Sequence, residues 1–166
     1  MQNDTPPAGC LGSLLGMFIG KRQDQNTDGI PKVQISNRFI SNAEADFFRV
    51  LTKVVGNRGH ILAQVSLKQL LYLPGKDQTT PGRRTWQNKI NQRSLDFLIC
   101  DPATLQPRLA IELDDSSHAR PDRQTRDEEV HLMLEASGLP TVRILCDRNY
   151  DTRELAATIL PHLAEN

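Results

Sequence analysis

The chain has 166 residues, of which 38% are hydrophobic and 24% are charged, and 20 basic residues balance 20 acidic ones. This length suits one domain with a tail, and it allows a buried core without disulfides or a structural metal. The zero net charge excludes a protein that coats nucleic acid through bulk positive charge, although it allows a local basic surface. The sequence holds no apolar run of about 18 residues, so we expect no transmembrane segment.

The cysteines indicate the compartment. Cys10, Cys100 and Cys146 are an odd number, lie far apart and form no C-x-x-C pair. This usage excludes a zinc ribbon and argues against a disulfide framework. Because free thiols persist in a reducing compartment, we expect a cytoplasmic protein.

Residues 1–38 are predicted to form a flexible N-terminal tail, and residues 39–166 to form the ordered domain. The tail is rich in Gly, Pro, Asn, Gln and Asp and has one short apolar island, residues 11–19. The island is too short to span a bilayer and lacks the flanking features of a signal peptide. It is either a sticky patch or a contact for a protein partner or a membrane surface. Residues 31–36 are interpreted as a short edge strand or a linker.

Hydrophobic periodicity and turn signals predict the elements of the domain. Ser41 and Glu44 have the spacing of a capping box at the start of the first helix. The order α, β, β, β, α, β, α, together with one short extra helix, indicates a three-layer α/β sandwich with a central mixed β-sheet. The predicted elements are a helix ending at Gly56, a strand over residues 60–67, turns at residues 74–75 and 81–82, a short helix over 85–92, strands over 95–100 and 109–113, a helix over 123–137, a strand over 141–146, and a helix from Asp151 that Pro161 bends or ends.

Charge is uneven along this domain. Residues 76–93 carry five basic residues and one acid, whereas residues 94–137 carry ten acids and four arginines. A basic loop beside an acidic centre is typical of a metal-dependent enzyme that acts on phosphodiesters, because the acids hold a cation and the loop holds the backbone. Ordinary surface patterning is the alternative. The residues that we predict to bind nucleic acid are Lys76, Arg83, Arg84, Lys89 and Arg93.

Acidic residues interrupt two neighbouring predicted strands. Asp96 lies within the apolar run SLDFLIC, and Glu112 and Asp114 alternate with Leu113 in AIELDD. In a hairpin with an even register, Asp96 lies on the same face as Glu112 and Asp114. Three carboxylates so placed repel one another, and the usual compensation is a divalent cation with oxygen ligands, Mg²⁺ or Mn²⁺. The alternative is a cluster neutralised by an arginine such as Arg143.

The fuller pattern LDFLICD…LAIELDDSSH…RQTRDEE…EASGLPTVRI, with an acid on the first helix, resembles the PD-(D/E)XK superfamily. It is most similar to the uncharacterised bacterial domain families related to the very-short-patch mismatch-repair endonuclease. The resemblance covers about residues 40–163. It implies a restriction-endonuclease-like fold and a Mg²⁺-dependent nuclease that hydrolyses phosphodiester bonds in DNA, with a role in repair or defence.

The resemblance also implies roles for individual residues in catalysis. Asp96 corresponds to the central metal ligand and Glu112 to the second carboxylate, while Asp114 stands where many members carry the lysine of E-x-K. His118 corresponds to a general acid or base, although a loop histidine is also common on a polar surface. Glu44 corresponds to an acid that holds the metal or its water, and it is equally the third residue of a capping box.

Three further residues are expected to support this site. Gln64 on the preceding strand could contact it. Asp127 either orients His118 or favours a helix N-terminus. Arg143 either neutralises the acids or contacts a phosphate.

The departure from E-x-K leaves a second function open. Asp114 cannot supply the positive charge of the lysine, so either a metal-bound hydroxide assisted by His118 takes over its task or Lys89 or Lys68 reaches into the site. If nothing supplies that charge, the domain is a catalytically inactive nucleic-acid-binding or protein-interaction module on the same fold. We favour the nuclease, because a dead site has no reason to retain acids that repel one another. The sequence leaves open DNA against RNA, the specificity and the oligomeric state.

Overall fold

The computed structural model describes residues 31–75, 81–114 and 121–164, and of Pro81 and residues 121–127 it describes the backbone alone. The chain divides into two compact units, Met1–Asn37 and Arg38–Asn166. In the first unit, residues 31–37 are exposed and form neither helix nor strand. The linker interpretation of residues 31–36 therefore fits better than the strand.

The described part of the second unit contains five α-helices, four strands and a terminal 3₁₀ helix. None of these helices combines the length and the apolar composition that crossing a bilayer requires. The elements are α1 Asn42–Val55, β1 His60–Ser66, α2 Leu67–Leu70, α3 Pro81–Gln92, β2 Ser94–Cys100, β3 Pro107–Asp114, α4 Pro121–Ser137, β4 Thr141–Leu145, α5 Thr152–Ile159 and the 3₁₀ helix Leu160–Leu163.

The strands form one mixed sheet in the order β1-β2-β3-β4. β1 pairs with β2 and β2 with β3 in antiparallel fashion, whereas β3 and β4 are parallel and are joined through α4. The short connection between β2 and β3 allows an antiparallel hairpin, while the parallel pair needs a crossover of helical length. The expected α/β class with a mixed sheet is confirmed.

Apolar side chains alternate between the two faces of the central strands and build a core on each. On one face, Phe97 and Ile111 pack with residues of α1 and α5. On the other face, Leu98 and Ala110 pack with residues of α3 and α4. Because both faces of β2 are covered, the strand is buried almost throughout, and a polar residue within it needs a specific partner.

The first helix forms as its sequence predicts. The Ser41 hydroxyl accepts the Glu44 backbone N–H at 3.2 Å, and the Glu44 carboxylate accepts the Ser41 N–H in return. This capping box satisfies two of the otherwise unpaired groups of the first turn. The helix ends at Gly56, whose φ of 58° lies in the left-handed region that glycine tolerates.

Several element boundaries differ from the prediction by a few residues, and two of the differences have a clear local cause. α3 begins at Pro81 and not at residue 85, because a proline in the first turn lacks only an N–H that needs no helical partner there. The turn predicted at Pro81 is therefore wrong. β1 ends at Ser66, and the buried Leu67 begins the short α2. α5 ends at Ile159, before Pro161, as predicted.

Candidate functional site

Four polar residues that the sequence singles out lie at one level of the sheet, one on each strand. In the β1–β2 register, Gln64 and Asp96 lie between the pairs Ala63–Phe97 and Val65–Leu95. The pairs Phe97–Ile111, Leu98–Ala110 and Ile99–Leu109 have the even register that the hairpin prediction requires, and Asp96 and Glu112 lie next to the first of these pairs. In the parallel pair, Glu112 is the partner of Arg143. We call Gln64, Asp96, Glu112 and Arg143 the polar row.

Asp96 replaces part of the backbone ladder. The backbone N–H of Leu113 donates to Asp96 Oδ2 at 2.9 Å. The regular β2–β3 pairs end just before this point, at Phe97 and Ile111, so the Asp96 carboxylate accepts where a backbone carbonyl would otherwise do so. On the neighbouring strand, Gln64 has a φ of 53°, an uncommon value for a residue other than glycine. The polar row is therefore one level at which the sheet departs from regular geometry, and the register shift between Ile99 and Cys100 is another. Such departures are common at functional sites.

Glu112 has a basic neighbour in Arg143. Glu112 Oε2 lies 3.7 Å from Arg143 Nε, and the Glu112 side chain is 14% exposed whereas that of Arg143 is 42% exposed. Leu113 and Ile111 pack in the core shared with α1 and α5, so Glu112 between them points to the opposite face. This contact is what the arginine-neutralised alternative predicts for Glu112.

Glu44 connects the first helix to the polar row. Its carboxylate accepts the side-chain amide of Gln64 in addition to the Ser41 N–H of the capping box. The Gln64 carbonyl in turn accepts the hydroxyl of Ser94 at 3.3 Å. Both sequence interpretations of Glu44 are therefore compatible with its position, since it caps α1 and also reaches the level of the predicted site through Gln64.

Asp114 is the last residue of β3, and its side chain is exposed. Within residues 31–75, 81–114 and 121–164, no group of three or more His, Cys, Asp or Glu side chains is arranged to hold a metal ion. His118 lies outside the described residues, and Asp127 lies in α4 with its side chain undescribed. The described residues thus bring Asp96 and Glu112 together across two strands, and the predictions for His118 and Asp127 stay predictions.

The first two arginines of α3 are placed differently. Arg83 donates to three backbone carbonyls in the loop after α2, those of Leu73, Pro74 and Gly75, and so anchors this loop to the start of the helix. Arg84 is exposed. Lys76, the other basic residue of this part of the predicted interface, lies outside the described residues.

The last two basic residues of the stretch contact α4. Lys89 Nζ lies 2.9 Å from one carboxylate oxygen of Glu129, and an Arg93 guanidinium nitrogen lies 3.1 Å from the other. The hydrogen bond from Lys89, and secondarily that from Arg93, lowers the pKa of Glu129 below its ordinary value. Lys89 also lies over the ring of Trp86, 4.5 Å from its centroid. Sequence reasoning missed Glu129, because a glutamate on a helix gives no sign of which distant cation it will meet.

Comparison with known proteins gives a family. Residues 36–163 match the family described as a protein of unknown function, DUF2726. The chain belongs to the DUF2726 family. The DUF2726 region contains every helix and strand described above, from α1 to the 3₁₀ helix. No curated protein and no solved structure matches the chain significantly.

Proposed function

We propose that this DUF2726 domain is a Mg²⁺-dependent nuclease of restriction-endonuclease-like fold that hydrolyses phosphodiester bonds in DNA. The observation that carries the proposal is that two acids, Asp96 and Glu112, lie on neighbouring strands directly next to the last regular pair, Phe97 with Ile111. Like charges this close on neighbouring strands destabilise a sheet, so such a pair needs compensating positive charge. Arg143 supplies one such charge beside Glu112, and a divalent cation would supply more.

The donor chemistry of the polar row fits a hard divalent cation. Asp96 and Glu112 would hold it through carboxylate oxygens, which Mg²⁺ and Mn²⁺ prefer. Mg²⁺ is commonly bound by one or two carboxylates, with water and substrate phosphates as the remaining ligands, so two protein acids are sufficient. When bound, the cation would stabilise charge on the phosphate and lower the pKa of an attacking water.

Arg143 is suited to the task that the missing lysine performs in E-x-K sites. Its guanidinium is permanently charged, is 42% exposed and lies beside Glu112. A fixed cation at that place would stabilise negative charge that develops on a phosphate. Gln64 would help to fix the position of β1 beside the site, because its side chain contacts both Glu44 and Ser94.

Contacts with the DNA backbone would come from α3. Arg84 is exposed on this helix. Lys89 and Arg93 both contact Glu129, and because two positive charges face one negative charge, this cluster keeps a net positive charge. From the end of α3 the chain reaches Asp96 within four residues. A basic helix so close to the acidic pair supports phosphodiester binding at this site.

A non-catalytic nucleic-acid-binding or protein-interaction module is the second candidate. This candidate is favoured because both acids already have partners within the protein. Asp96 accepts the backbone N–H of Leu113, and Glu112 lies beside the guanidinium of Arg143. Acids with such partners can persist for structural reasons, because a hydrogen bond or an ion pair offsets the cost of burial.

Two substitutions of Asp96 separate these functions. Asp96→Asn keeps an oxygen that can accept the Leu113 N–H but removes the charge, whereas Asp96→Ala removes both. For a nuclease, we expect Asp96→Asn to melt close to the parent while losing Mn²⁺ binding in calorimetry and nicking of supercoiled plasmid. Asp96→Ala should lose the same activities and in addition about 1–2 kcal/mol of unfolding free energy.

The outcomes against the nuclease are distinct. A parent protein that binds DNA but neither binds Mn²⁺ nor nicks plasmid would establish the non-catalytic module. An Asp96→Asn variant that nicks as fast as the parent would remove Asp96 from the site. Glu44→Gln is a useful companion, because glutamine also completes a capping box and the helix should stay intact. Loss of nicking without loss of stability in this variant would place Glu44 in the site, either directly or through Gln64, because a glutamine at position 44 cannot accept both the Ser41 N–H and the Gln64 amide on separate oxygens.

A further inference from the structure

The outward face of α3 consists of hydrogen-bonding side chains. Positions 84, 88 and 91 succeed one another at helical spacing and form a stripe, and positions 85 and 92 flank it. The opposite side of the helix holds Ile90, which is only 2% exposed. No acidic residue occurs in the helix. The exposed residues of this face are Arg84, Thr85, Asn88, Asn91 and Gln92.

This composition is not that of a helix face selected for stability in water. Solvated faces are usually built from Glu, Lys, Ala and Gln, whereas Asn and Thr are poor helix formers. The exposed face of α1, by comparison, carries the i,i+3 ion pair of Arg49 with Asp46. A local sequence that works against its own helix is expected where the side chains have another task.

The residue types on α3 are those that distinguish bases. Arginine pairs through two hydrogen bonds with guanine, and asparagine or glutamine pairs in the same way with adenine, both in the major groove of duplex DNA. The groove admits an α-helix, and the basic, acid-free α3 is complementary in charge to the phosphates on either side. We propose that α3 is the element with which this domain reads the base edges of duplex DNA. Asn88 and Asn91 are then the specificity-determining residues, and Arg84 at the start of the stripe contacts the phosphate backbone beside them.

The helix is fixed well enough to read a sequence. Arg83 ties its first turn to the carbonyls after α2, and Lys89 ties its last turn to Glu129. Along the exposed stripe, the Gln87 amide donates to Asn91 Oδ1 at 3.2 Å and orients that side chain. Recognition by side chains requires this kind of support, because a helix that shifts cannot hold a bidentate contact. The inference rests on the proposed function, in that it takes DNA as the substrate.

The test is a selection from randomised duplex DNA with the full chain in EDTA, so that binding is measured without cleavage. The parent should enrich a defined sequence. The double variant Asn88→Ala, Asn91→Ala should lose about 10-fold or more of the ratio between affinity for that sequence and affinity for random duplex. Its binding to random duplex should keep the salt dependence of the parent. Alanine favours a helix, so the variant should fold.

A matched control lies outside the stripe. Gln69→Ala changes an exposed amide on α2 and should leave the sequence preference intact. A double variant with the same preference as the parent would overturn the inference. So would a parent that binds duplex DNA without any preference, or one that prefers single strands or RNA, and neither result would remove nuclease activity. A parent that binds no nucleic acid at all would overturn this inference together with the proposed function.

Discussion

Arg143 lies beside Glu112 in the parallel pair of strands, with 3.7 Å between Arg143 Nε and Glu112 Oε2. The distance is long for an ion pair and Arg143 is partly exposed, so the contact itself contributes little stability. Glu112 is mostly buried, however, and a buried carboxylate needs a positive neighbour. The guanidinium therefore serves as a companion charge for the buried Glu112 carboxylate.

This relationship predicts a small coupling between the two side chains. In a double-mutant cycle of Glu112→Gln and Arg143→Gln, we expect an interaction energy of about 1 kcal/mol or less, measured by urea unfolding in EDTA. Arg143→Gln alone should be stabilised by Mn²⁺ more than the parent is, because the substitution removes a positive charge from beside Glu112. An Arg143→Gln variant with the same melting shift in Mn²⁺ as the parent would contradict this interpretation of the pair.

The two adjacent arginines at the start of α3 should respond differently to charge reversal. Arg83→Glu loses hydrogen bonds to the carbonyls of residues 73–75 and should cost about 1–2 kcal/mol of stability. Arg84→Glu should leave stability unchanged but weaken DNA binding. The slope of the logarithm of the DNA-binding constant against the logarithm of the salt concentration should become less steep by about one, which corresponds to the loss of one phosphate contact. Filter binding at several salt concentrations and thermal melts measure both effects. The reverse assignment, with Arg84 needed for folding and Arg83 for binding, would refute the prediction.

The stability that Glu129 contributes should depend on pH in the acid range. Its pKa in the folded protein is lowered from an ordinary value of 4.5, chiefly by Lys89. A lowered pKa means that the contribution is fully present above the unfolded value and is lost as the pH falls through the folded value. We therefore expect Glu129→Gln to melt below the parent at pH 7, with the difference shrinking as the pH is lowered from 5 to about 3. Equal differences across this range would mean that the carboxylate charge has no part in holding α3 to α4.

Gly59 and Gly82 differ in the space that the structure leaves for a side chain, so substituting each with alanine tests how tightly the domain is packed at these two places. A Cβ on Gly59 would lie 2.6 Å from Ile99 Cγ2 and 2.9 Å from the Cys100 carbonyl oxygen, whereas a Cβ on Gly82 would meet nothing within 4 Å. Gly59→Ala should therefore destabilise the domain by about 1–3 kcal/mol. Gly82→Ala, in the first turn of α3, should stabilise it by up to about 1 kcal/mol. Urea unfolding distinguishes the two, and a neutral Gly59→Ala would show that the chain before β1 can move away from β2 at this point.

Local patterns in the sequence were sufficient for much of the fold. The capping box of Ser41 and Glu44 and the alternation of apolar residues along β2 and β3 each depend on residues a few positions apart. The even register predicted for the hairpin agrees with the pairs from Phe97–Ile111 to Ile99–Leu109, and it leaves Asp96 and Glu112 next to the first of these pairs. Pro81 was misjudged because the same dipeptide, Pro-Gly, serves a turn or the first turn of a helix, and the choice depends on the residues after it.

The partners of charged side chains could not be predicted in the same way. The sequence shows that Lys89 and Arg93 are basic, but their contact with Glu129 is set by the packing of α3 beside α4. The hydrogen bond from Leu113 to Asp96 likewise depends on where a ladder stops being regular, which no local pattern encodes. An Asp96→Ala variant that stays intact or becomes more stable is what charge repulsion alone would give, whereas this bond predicts a loss, so Asp96→Asn is the better probe of charge.

The strand order of the sheet has a consequence for how the domain folds. β2 and β3 are joined by a short turn, residues 101–106, whereas β1 is joined to β2 through α2 and α3, and β3 to β4 through α4. Contacts between segments close in sequence cost less loop-closure entropy and are expected to form earlier. Asp96 and Glu112 should therefore meet while β4, and Arg143 with it, is still undocked. We therefore expect Arg143 to reach Glu112 in a later step of folding, and under the proposed function a divalent cation present during refolding should speed the closure of the hairpin that precedes it.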